Sequence, residues 1–318
     1  MGARWRGADP ADAGVAMVET PAIRTRDLAK RYGGVTALAG LTMTVPRGEV
    51  FGFLGPNGAG KTTSVKLLLG LARPSGGEGR VLGAPLGDRA SRRRIGYLPE
   101  LFRYQEWLSA REVLALHAAL LDMPRGERGA AIAEALTLVG LAARGDDRVG
   151  TFSKGMQQRL GLGVALLGRP ELVLLDEPTS ALDPVGRHDV REIIRHLRAR
   201  GVAVFLNSHL LGEVEQVCDR VAIVDHGRVI ATGSLDELLG GTQEVRLRVT
   251  GLDAAARASL GGFGELAHED PWLVVRGLAP GRVPELVDAL VVLGGRIYAV
   301  EPRHQSLEER FLQLLGEG

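Results

Sequence analysis

Cysteine and long apolar runs are scarce in this chain of 318 residues, and each shortage excludes a class of protein. Cys218 is the only cysteine, so neither an intrachain disulfide nor a cysteine-based metal site can form, as expected for a reducing compartment. No stretch approaches about 18 consecutive apolar residues, so we expect a soluble chain that needs a spanning partner for any work at a membrane. The first 20 residues carry Arg4 and Arg6 but no apolar run, which excludes a secretory signal.

The net charge and the aromatic content are also low. The 39 Lys and Arg nearly cancel the 38 Asp and Glu, so the net charge of +1 creates no global field for nucleic acid, and we expect no nucleic-acid partner. Hydrophobic residues at 45% exclude disorder. Aromatic residues at 4% with 44 glycines favour a tight-turned α/β fold over a β-sandwich. The length suggests two domains of roughly 100–200 residues each.

Short apolar runs alternate with helical patterns along most of the chain. The run at 49–54 is apolar on both faces, which is typical of a buried strand in a parallel sheet. Residues 106–145 differ, since they carry two amphipathic helices and no strand. Elsewhere we expect strands at 95–98, 172–176, 202–207 and 221–224, and helices at 61–71, 154–167, 184–200 and 210–217. This alternation predicts an α/β fold with a helix-covered parallel sheet.

Glycines at 240 and 241 mark a predicted domain boundary. We expect a disordered tail at 1–21, a main domain at 22–241 with a helical subdomain at about 101–165, and an accessory α+β domain at 242–318. The last domain is predicted to contain strands at 244–249 and 296–300, a hairpin around 269–272, and helices at 254–260, at 283–293 and from Ser306. It has no motif-like polar cluster, so we interpret it as a dimer-stabilising or regulatory unit.

The segment 55–62 reads Gly-Pro-Asn-Gly-Ala-Gly-Lys-Thr and matches the P-loop pattern. Its glycines allow backbone N–H groups to face a phosphate, and the helix that follows offers its positive N-terminus. Lys61 is then expected to reach the β- and γ-phosphates and Thr62 to place its hydroxyl on Mg²⁺. A plain glycine-rich turn is the alternative. The preceding buried strand and the following helix favour nucleotide binding.

A second motif ends the apolar run 172–175 with two carboxylates, Asp176 and Glu177. Ligands bind at the carboxyl ends of strands in open α/β sheets. Asp176 is expected to hold Mg²⁺, directly or through water. Glu177 is expected to orient or deprotonate the attacking water. An ordinary strand end would look the same, but the P-loop upstream favours the catalytic interpretation.

In this order and spacing the motifs resemble the ATP-binding subunits of ABC transporters, over nearly the whole chain from residue 22. The segment 152–159 resembles the family's signature, 176–183 its Walker-B and D-loop run, and His209 its switch histidine. The resemblance implies a P-loop NTPase core of the ABC type with ATP and Mg²⁺ as cofactors. It assigns catalysis to Glu177 and His209, metal binding to Thr62, Glu100 and Asp176, and nucleotide binding to Tyr32, Gly55, Asn57, Gly58, Ala59, Gly60, Lys61, Thr62, Thr63, Ser153, Gly155 and Asp183.

Two positions depart from the commonest family pattern. Lys154 replaces a glycine and Met156 replaces the glutamine of the Leu-Ser-Gly-Gly-Gln signature, and Glu100 stands at the Q-loop glutamine. Both departures resemble the branch that serves exporters of drugs, antibiotics, polysaccharides and sodium. The segment 306–311 also resembles the tail of that branch.

The resemblance also implies a mechanism. Two copies would face each other head to tail, with two ATP molecules between the P-loop of one and the signature helix of the other. Ser153 is a predicted N-cap, so the positive end of its helix would face the γ-phosphate. ATP would close the dimer, hydrolysis would open it, and Asp183 would couple the two sites. Glu100 and the helical insert 106–145 would pass closure to a separate transmembrane permease, which holds the subunit at the cytoplasmic side of the membrane.

Other functions remain open at this point. An importer ATPase more often keeps the Leu-Ser-Gly-Gly-Gln signature. Non-transport ABC proteins, such as translation factors or DNA-repair ATPases, usually carry two cassettes or long coiled coils, and this chain has no sustained heptads. A purely regulatory nucleotide-binding module would be expected to lack Glu177 or His209. Because every motif is present in one chain, we expect a homodimer, with a heterodimer as the alternative.

Overall fold

A computed structural model describes residues 20–180, 182–239, 243–303 and 306–316. The predicted boundary at Gly240 and Gly241, and nearly all of the predicted tail, lie outside these residues. Within them, no helix combines the length and the apolar character that crossing a bilayer requires.

The strands and helices are numbered along the chain. The strands are β1 (Ile23–Tyr32), β2 (Val35–Val45), β3 (Val50–Leu54), β4 (Gly76–Val81), β5 (Ala84–Pro85), β6 (Ile95–Leu98), β7 (Leu172–Asp176), β8 (Ala203–Asn207), β9 (Arg220–Asp225), β10 (Arg228–Ser234), β11 (Gln243–Thr250), β12 (Glu265–Glu269), β13 (Trp272–Leu278) and β14 (Arg296–Arg303). The helices are α1 (Lys61–Leu68), α2 (Arg89–Arg92), α3 (Ala110–Leu120), α4 (Arg125–Leu138), α5 (Lys154–Leu166), α6 (Pro184–Ala199), α7 (Leu211–Val217), α8 (Leu235–Leu239), α9 (Ala254–Ser259), α10 (Val283–Val292) and α11 (Leu307–Gly316).

A central sheet has the strand order β10-β9-β3-β8-β7-β6. Its strands from β9 to β6 are parallel, and β10 adds an antiparallel edge. Every residue of β3, β7 and β8 is buried, which explains their continuous apolar sequence. The predicted α/β class with a helix-covered parallel sheet is therefore confirmed.

An antiparallel sheet of order β2-β1-β4-β5 packs on one face of the central sheet. Phe51, Phe53 and Phe205 form the centre of this interface, with ring centroids 5.1 and 6.1 Å apart for the pairs that include Phe205. We did not predict β4 and β5. The sequence of β4 is glycine-rich and lacks an apolar alternation, and its position depends on pairing with the distant strand β1, as in the match of Ile23 with Val81.

The helices α3, α4 and α5 cover the other face, together with α6 and α7. The helix α3 starts with a capping box, in which the Ser109 hydroxyl accepts from the Glu112 N–H and the Glu112 carboxylate accepts from the Ser109 N–H. The α4 helix runs from Arg125 to Leu138, so the segment 106–145 contains the two predicted helices.

A third sheet, β12-β13-β11-β14, forms a small unit with α10 over its own apolar cluster. The predicted hairpin around residues 269–272 is confirmed as the turn between β12 and β13. The last helix, α11, contacts α7 and α8 of the main domain.

Cys218 caps the C-terminal end of α7 and is buried. A side chain at Gly52 of β3 would place its Cβ 2.8 Å from Val214 Cγ1 and 3.1 Å from the Cys218 sulfur, so α7 lies directly on the sheet. Burial raises the pKa of the Cys218 thiol.

We predict that Glu171 stabilises the fold in a pH-dependent way. Hydrogen bonds from Arg94 and Arg47 lower the pKa of Glu171 to about 2 from 4.5, so its contribution is complete above pH 4.5 and disappears as the pH falls toward 2. Because the carboxylate is 41% exposed, Glu171→Gln should lower the free energy of unfolding at pH 7 by only about 1 kcal/mol.

Urea denaturation at several pH values measures this effect. The difference between wild type and Glu171→Gln should narrow below pH 4.5, whereas Glu265→Gln on the exposed edge strand β12 should change little at any pH. A Glu171→Gln deficit that stays constant from pH 7 to 3 would contradict the assignment.

Candidate functional site

The loop between β3 and α1 is held tightly against its neighbours. Gly58 and Gly60 have φ angles of +86° and +97°, which side chains of L-residues rarely adopt. A Cβ at Gly60 would lie 2.4 Å from the Ala37 carbonyl oxygen, and one at Gly55 would lie 2.3 Å from the Val224 carbonyl oxygen. Space therefore requires glycine at both contacts, and at Gly60 the backbone conformation requires it as well.

Lys61 begins α1 and is buried. Its ammonium group donates to the carbonyl oxygens of Gly55 at 2.6 Å and Pro56 at 3.2 Å. Burial lowers the pKa of Lys61, and the nearby carboxylates of Glu177 and Asp176 act against this shift. No side chain caps the start of α1, where the N–H groups of a helix are available to an anion.

Asp176 and Glu177 follow one another at the end of β7, in different environments. Asp176 is 2% exposed and accepts a hydrogen bond from the Asn207 side-chain amide. Burial raises the pKa of Asp176, while this hydrogen bond lowers it. Glu177 is 8% exposed and has a φ of +53°, a strained conformation of the kind that clusters at functional sites.

His209 lies beside Glu177, with its Nδ1 atom 2.8 Å from the Glu177 Oε2 atom. That oxygen is buried and accepts no hydrogen bond of normal geometry, so the ring is close to the carboxylate without being aligned on it. The Glu177 backbone N–H donates to the Asn207 carbonyl oxygen at 2.8 Å, which joins the ends of β7 and β8.

These groups line one cavity of about 390 Å³, which we call the phosphate pocket. Its walls come from the P-loop, from the ends of β6, β7 and β8, and from α7 and α11. They comprise Gly55, Pro56, Asn57, Lys61, Thr62, Glu100, Asp176, Glu177, Asn207, His209, Leu211 and Phe311. Of the other P-loop candidates, Gly58, Ala59, Gly60 and Thr63 belong to the same loop and first helical turn but do not line the cavity.

The remaining candidates lie outside the pocket. Tyr32 is half exposed at the tip of the β1–β2 hairpin, with the Lys30 ammonium 4.8 Å from its ring centroid. Ser153 caps α5 by accepting from the Met156 N–H at 3.3 Å, and Gly155 lies in the first turn of that helix. Asp183 caps α6 by accepting from the Gly186 N–H at 2.8 Å. One chain therefore gathers only part of the predicted set.

Sequence analysis did not identify four residues of the pocket wall as site residues: Pro56, which lies within the predicted P-loop, and Asn207, Leu211 and Phe311. Asn207 is the last residue of β8, and its position between the P-loop end of β3 and the carboxylate-bearing end of β7 follows from strand order. Leu211 and Phe311 come from helices whose approach depends on tertiary packing. The apolar spacing of Leu307, Phe311 and Leu314 indicates a buried helix face but does not indicate what it covers.

The donor set suits a magnesium ion bound together with a nucleotide. The hydroxyl of Thr62 and the carboxylates of Asp176 and Glu100 are hard oxygen ligands, and the buried Asn207 Oδ1 atom has no hydrogen-bond partner among the described residues. No cluster of three or more His, Cys, Asp or Glu ligands occurs in the part of the chain that the structure describes. Magnesium at phosphate sites needs only one or two carboxylates, since phosphate oxygens supply other ligands.

The fold and the P-loop define a P-loop nucleoside triphosphatase. Residues 38–180 match the model of the ABC transporter family. Over 303 residues the chain is 43% identical to an uncharacterized ABC transporter ATP-binding protein of Nostoc sp., covering 92% of this chain and 90% of the relative. The chain belongs to the ABC transporter ATP-binding proteins, a family that binds and hydrolyses ATP.

Other similar proteins match most of the main domain. A Nod factor export ATP-binding protein of Rhizobium meliloti is 40% identical over 227 residues, which covers 70% of this chain and 68% of that protein. The solved structure of an ATP-binding subunit of an ABC transporter superposes with a TM-score of 0.62 at 33% identity, covering 69% of this chain and 92% of the other. These matches agree with the resemblance on which the sequence analysis relied.

We predict that alanine at Gly60 destabilises the P-loop far more than alanine at Gly58. Both glycines have a positive φ, which costs an L-residue about 1–2 kcal/mol, but only Gly60 has a neighbour within 4 Å of the new Cβ. Gly58→Ala should therefore lose about 1 kcal/mol of unfolding free energy, and Gly60→Ala should lose more than twice that amount.

Denaturant unfolding and titration with a fluorescent ATP analogue measure both effects. Gly60→Ala should also bind the analogue more weakly than Gly58→Ala does. Equal losses in the two variants would show that the backbone conformation alone, and not the contact with Ala37, sets the requirement.

Proposed function

We propose that this chain is the ATP-hydrolysing subunit that energises a membrane exporter, and that it works as a homodimer closed by ATP and opened by hydrolysis. One observation carries the proposal. The P-loop, both carboxylates and His209 line one pocket, whereas Ser153, Gly155 and Asp183 stand at exposed helix starts outside it. A second copy that faces the first head to tail supplies the missing groups.

Within the pocket each group has a defined role in this proposal. The N–H groups of the P-loop and of the start of α1 bind phosphate oxygens, and Lys61 exchanges its bonds to the Gly55 and Pro56 carbonyls for bonds to the β- and γ-phosphates. Asp176 and Thr62 would hold Mg²⁺, with Glu100 in the same cavity wall, and the bound ion would supply positive charge to offset the charge on the transferred phosphoryl group.

Glu177 takes the proton of the attacking water. Its carboxylate is buried and has an oxygen without an aligned partner, so it is free to accept that proton. His209 contacts the same carboxylate and thereby links the end of β8 to the reacting group. We place adenine on Tyr32, which ends β1. The next strand, β2, packs against Gly60 of the P-loop, so Tyr32 is on the same side of the molecule as the phosphate-binding loop.

Contact with the γ-phosphate in trans comes from the signature helix. The Ser153 cap leaves the Ser153 hydroxyl and the N-terminal end of α5 exposed, where the helix dipole favours an anion. A Cβ at Gly155 would lie 3.8 Å from the Leu182 side chain, so the signature and the D-loop with Asp183 are neighbours. A phosphate bound at the start of α5 therefore affects the start of α6, where Asp183 lies, and this supports a role for Asp183 in coupling the two sites.

A membrane partner is supported by the surface beside Glu100. Four large apolar side chains between residues 101 and 120 are exposed: Leu101, Trp107, Leu116 and Leu120. Exposed large apolar side chains are typical of interaction surfaces, and Leu101 directly follows Glu100 in the chain, so we propose that this segment connects the pocket to a bound permease. We propose that this contact holds the subunit at the cytoplasmic side of the membrane.

Export is favoured over import by Lys154 and Met156 in the signature and by relatives such as the Rhizobium meliloti protein named for Nod factor export. An importer subunit is the second candidate, and a non-transport ABC ATPase is the third. Transport assays with the co-expressed permease over a panel of cargoes distinguish these three.

We predict that Glu177→Gln retains ATP binding but loses turnover by about 10²-fold or more, because glutamine cannot accept the proton. The bound nucleotide should stabilise the dimer, since the γ-phosphate persists. Phosphate release and size-exclusion chromatography with ATP measure both effects, with Lys61→Ala as the variant that fails to bind. Turnover of Glu177→Gln at the wild-type rate would contradict its role as the base.

We also predict complementation between Lys61→Ala and Gly155→Asp, two variants that are each inactive alone. If each site joins the P-loop of one copy to the signature of the other, a mixed dimer retains one intact site, and an equimolar mixture should recover about one quarter of the wild-type rate. Aspartate in the first turn of α5 should leave the helix intact, because acidic residues are favoured there.

The two variants are co-expressed with different tags, and ATPase activity is measured. The control pairs Lys61→Ala with a Lys61→Ala/Gly155→Asp double variant, a combination that has no intact P-loop. A test mixture that is no more active than the control would show that the site is not shared between copies.

A further inference from the structure

The last helix of the chain packs on helices of the ATPase core. α11 contacts α7 and α8, and Leu307 at its start is fully buried in the cluster that also contains Val214 and Val217 of α7. Phe311 and Leu314 pack against the same cluster. Because these apolar residues recur every three or four positions, one whole face of α11 covers this part of the core.

The start of α11 is fixed by hydrogen bonds. The Ser306 hydroxyl accepts from the Glu309 N–H at 3.2 Å, and the Glu309 carboxylate accepts from the Ser306 N–H at 2.9 Å, which forms a capping box. The Leu307 N–H also donates to the carboxylate of Glu215 on α7, at 3.4 Å. α11 and α7 are therefore joined by polar contacts as well as by apolar packing.

Phe311 reaches the phosphate pocket from this position. It lines the cavity together with His209 and with Leu211, the first residue of α7. Leu211 is only two residues from His209, so the side of the pocket that carries the histidine is bounded by an aromatic residue from the far end of the chain. Phe311 has no proton to transfer, and any effect on the reaction must act through its neighbours.

His209 has few constraints of its own. Its side chain is 53% exposed, and its contact with the Glu177 carboxylate is close but not aligned as a hydrogen bond. An exposed side chain exchanges between rotamers unless its surroundings restrict it. Phe311 and Leu211 line the same cavity as His209, so they bound the space available to its side chain.

We propose that Phe311 is a positioning residue for ATP hydrolysis, which keeps His209 against Glu177 by occupying the pocket wall beside Leu211. This inference rests on the proposed function. It gives the C-terminal segment a part in turnover, since its last helix sets the geometry of a catalytic residue encoded about a hundred positions earlier.

The test compares Phe311→Ala with Leu312→Ala, which alters the next residue of the same helix, 63% exposed and outside the pocket wall. Phe311→Ala should lower kcat for ATP about tenfold with less than a twofold change in KM, because the P-loop is untouched. Leu312→Ala should match wild type. Phe311→Leu should recover most of the rate, since it restores apolar volume at the wall.

A double-mutant cycle with His209→Ala separates positioning from general damage. Phe311→Ala should cause no further loss of kcat in the His209→Ala background, because the residue it positions is gone. Losses that multiply, a rise in KM equal to the fall in kcat, or a wild-type kcat for Phe311→Ala would each overturn the proposal. If Phe311→Ala does not fold, Phe311→Val, which shortens the side chain but keeps it apolar, is carried through the same cycle with the same criteria.

Failure of the proposed function has a different result. In that case wild-type protein lacks ATPase activity, whereas failure of this inference leaves an active enzyme that is indifferent to Phe311 or affected by it independently of His209.

Discussion

The parallel ladder that joins β3, β8 and β7 sets the positions of the P-loop, the Asp176–Glu177 pair and His209 in the phosphate pocket. In its register Phe53 pairs with Asn207, and Asn207 pairs with Asp176, so all three strands end at the same level. The P-loop, the Asp176–Glu177 pair and the Ser208–His209 turn leave the sheet within one residue of this level. A slip of one residue in any ladder would turn the strand's side chains to the opposite face and separate these groups.

The strain at Glu177 follows from the same register. Its N–H donates to the Asn207 carbonyl, which continues the ladder by one bond while the chain turns into a left-handed conformation. This turn directs the Glu177 carboxylate into the pocket. The packing of the buried strands on either side offsets the strain of its backbone conformation. His209 leaves β8 next to this turn, and its approach to Glu177 is a consequence of strand order.

Local motifs made most of the site predictable, and long-range packing limited the rest. Short apolar runs of the kind that form buried strands precede Lys61, Asp176 and Glu177. The carboxyl ends of parallel strands lie at one edge of the sheet, so the sequence predicts that these three residues lie close together. The strand β4 was not predicted, because its glycine-rich sequence has no periodic pattern and only its pairing with β1 defines it. Phe311 was not predicted as a pocket residue, because the amphipathic pattern of α11 indicates a buried face but not the surface that this face contacts.

Cys218 lies at the C-terminal end of the helix that begins two residues after His209, next to Gly52 and with its thiol shielded from solvent. A thiol reagent added to the folded protein can react only when α7 lifts from the sheet. The single cysteine is thus a native chemical reporter on that helix, and its alkylation rate with different nucleotides would measure how firmly each one seats the histidine-bearing segment.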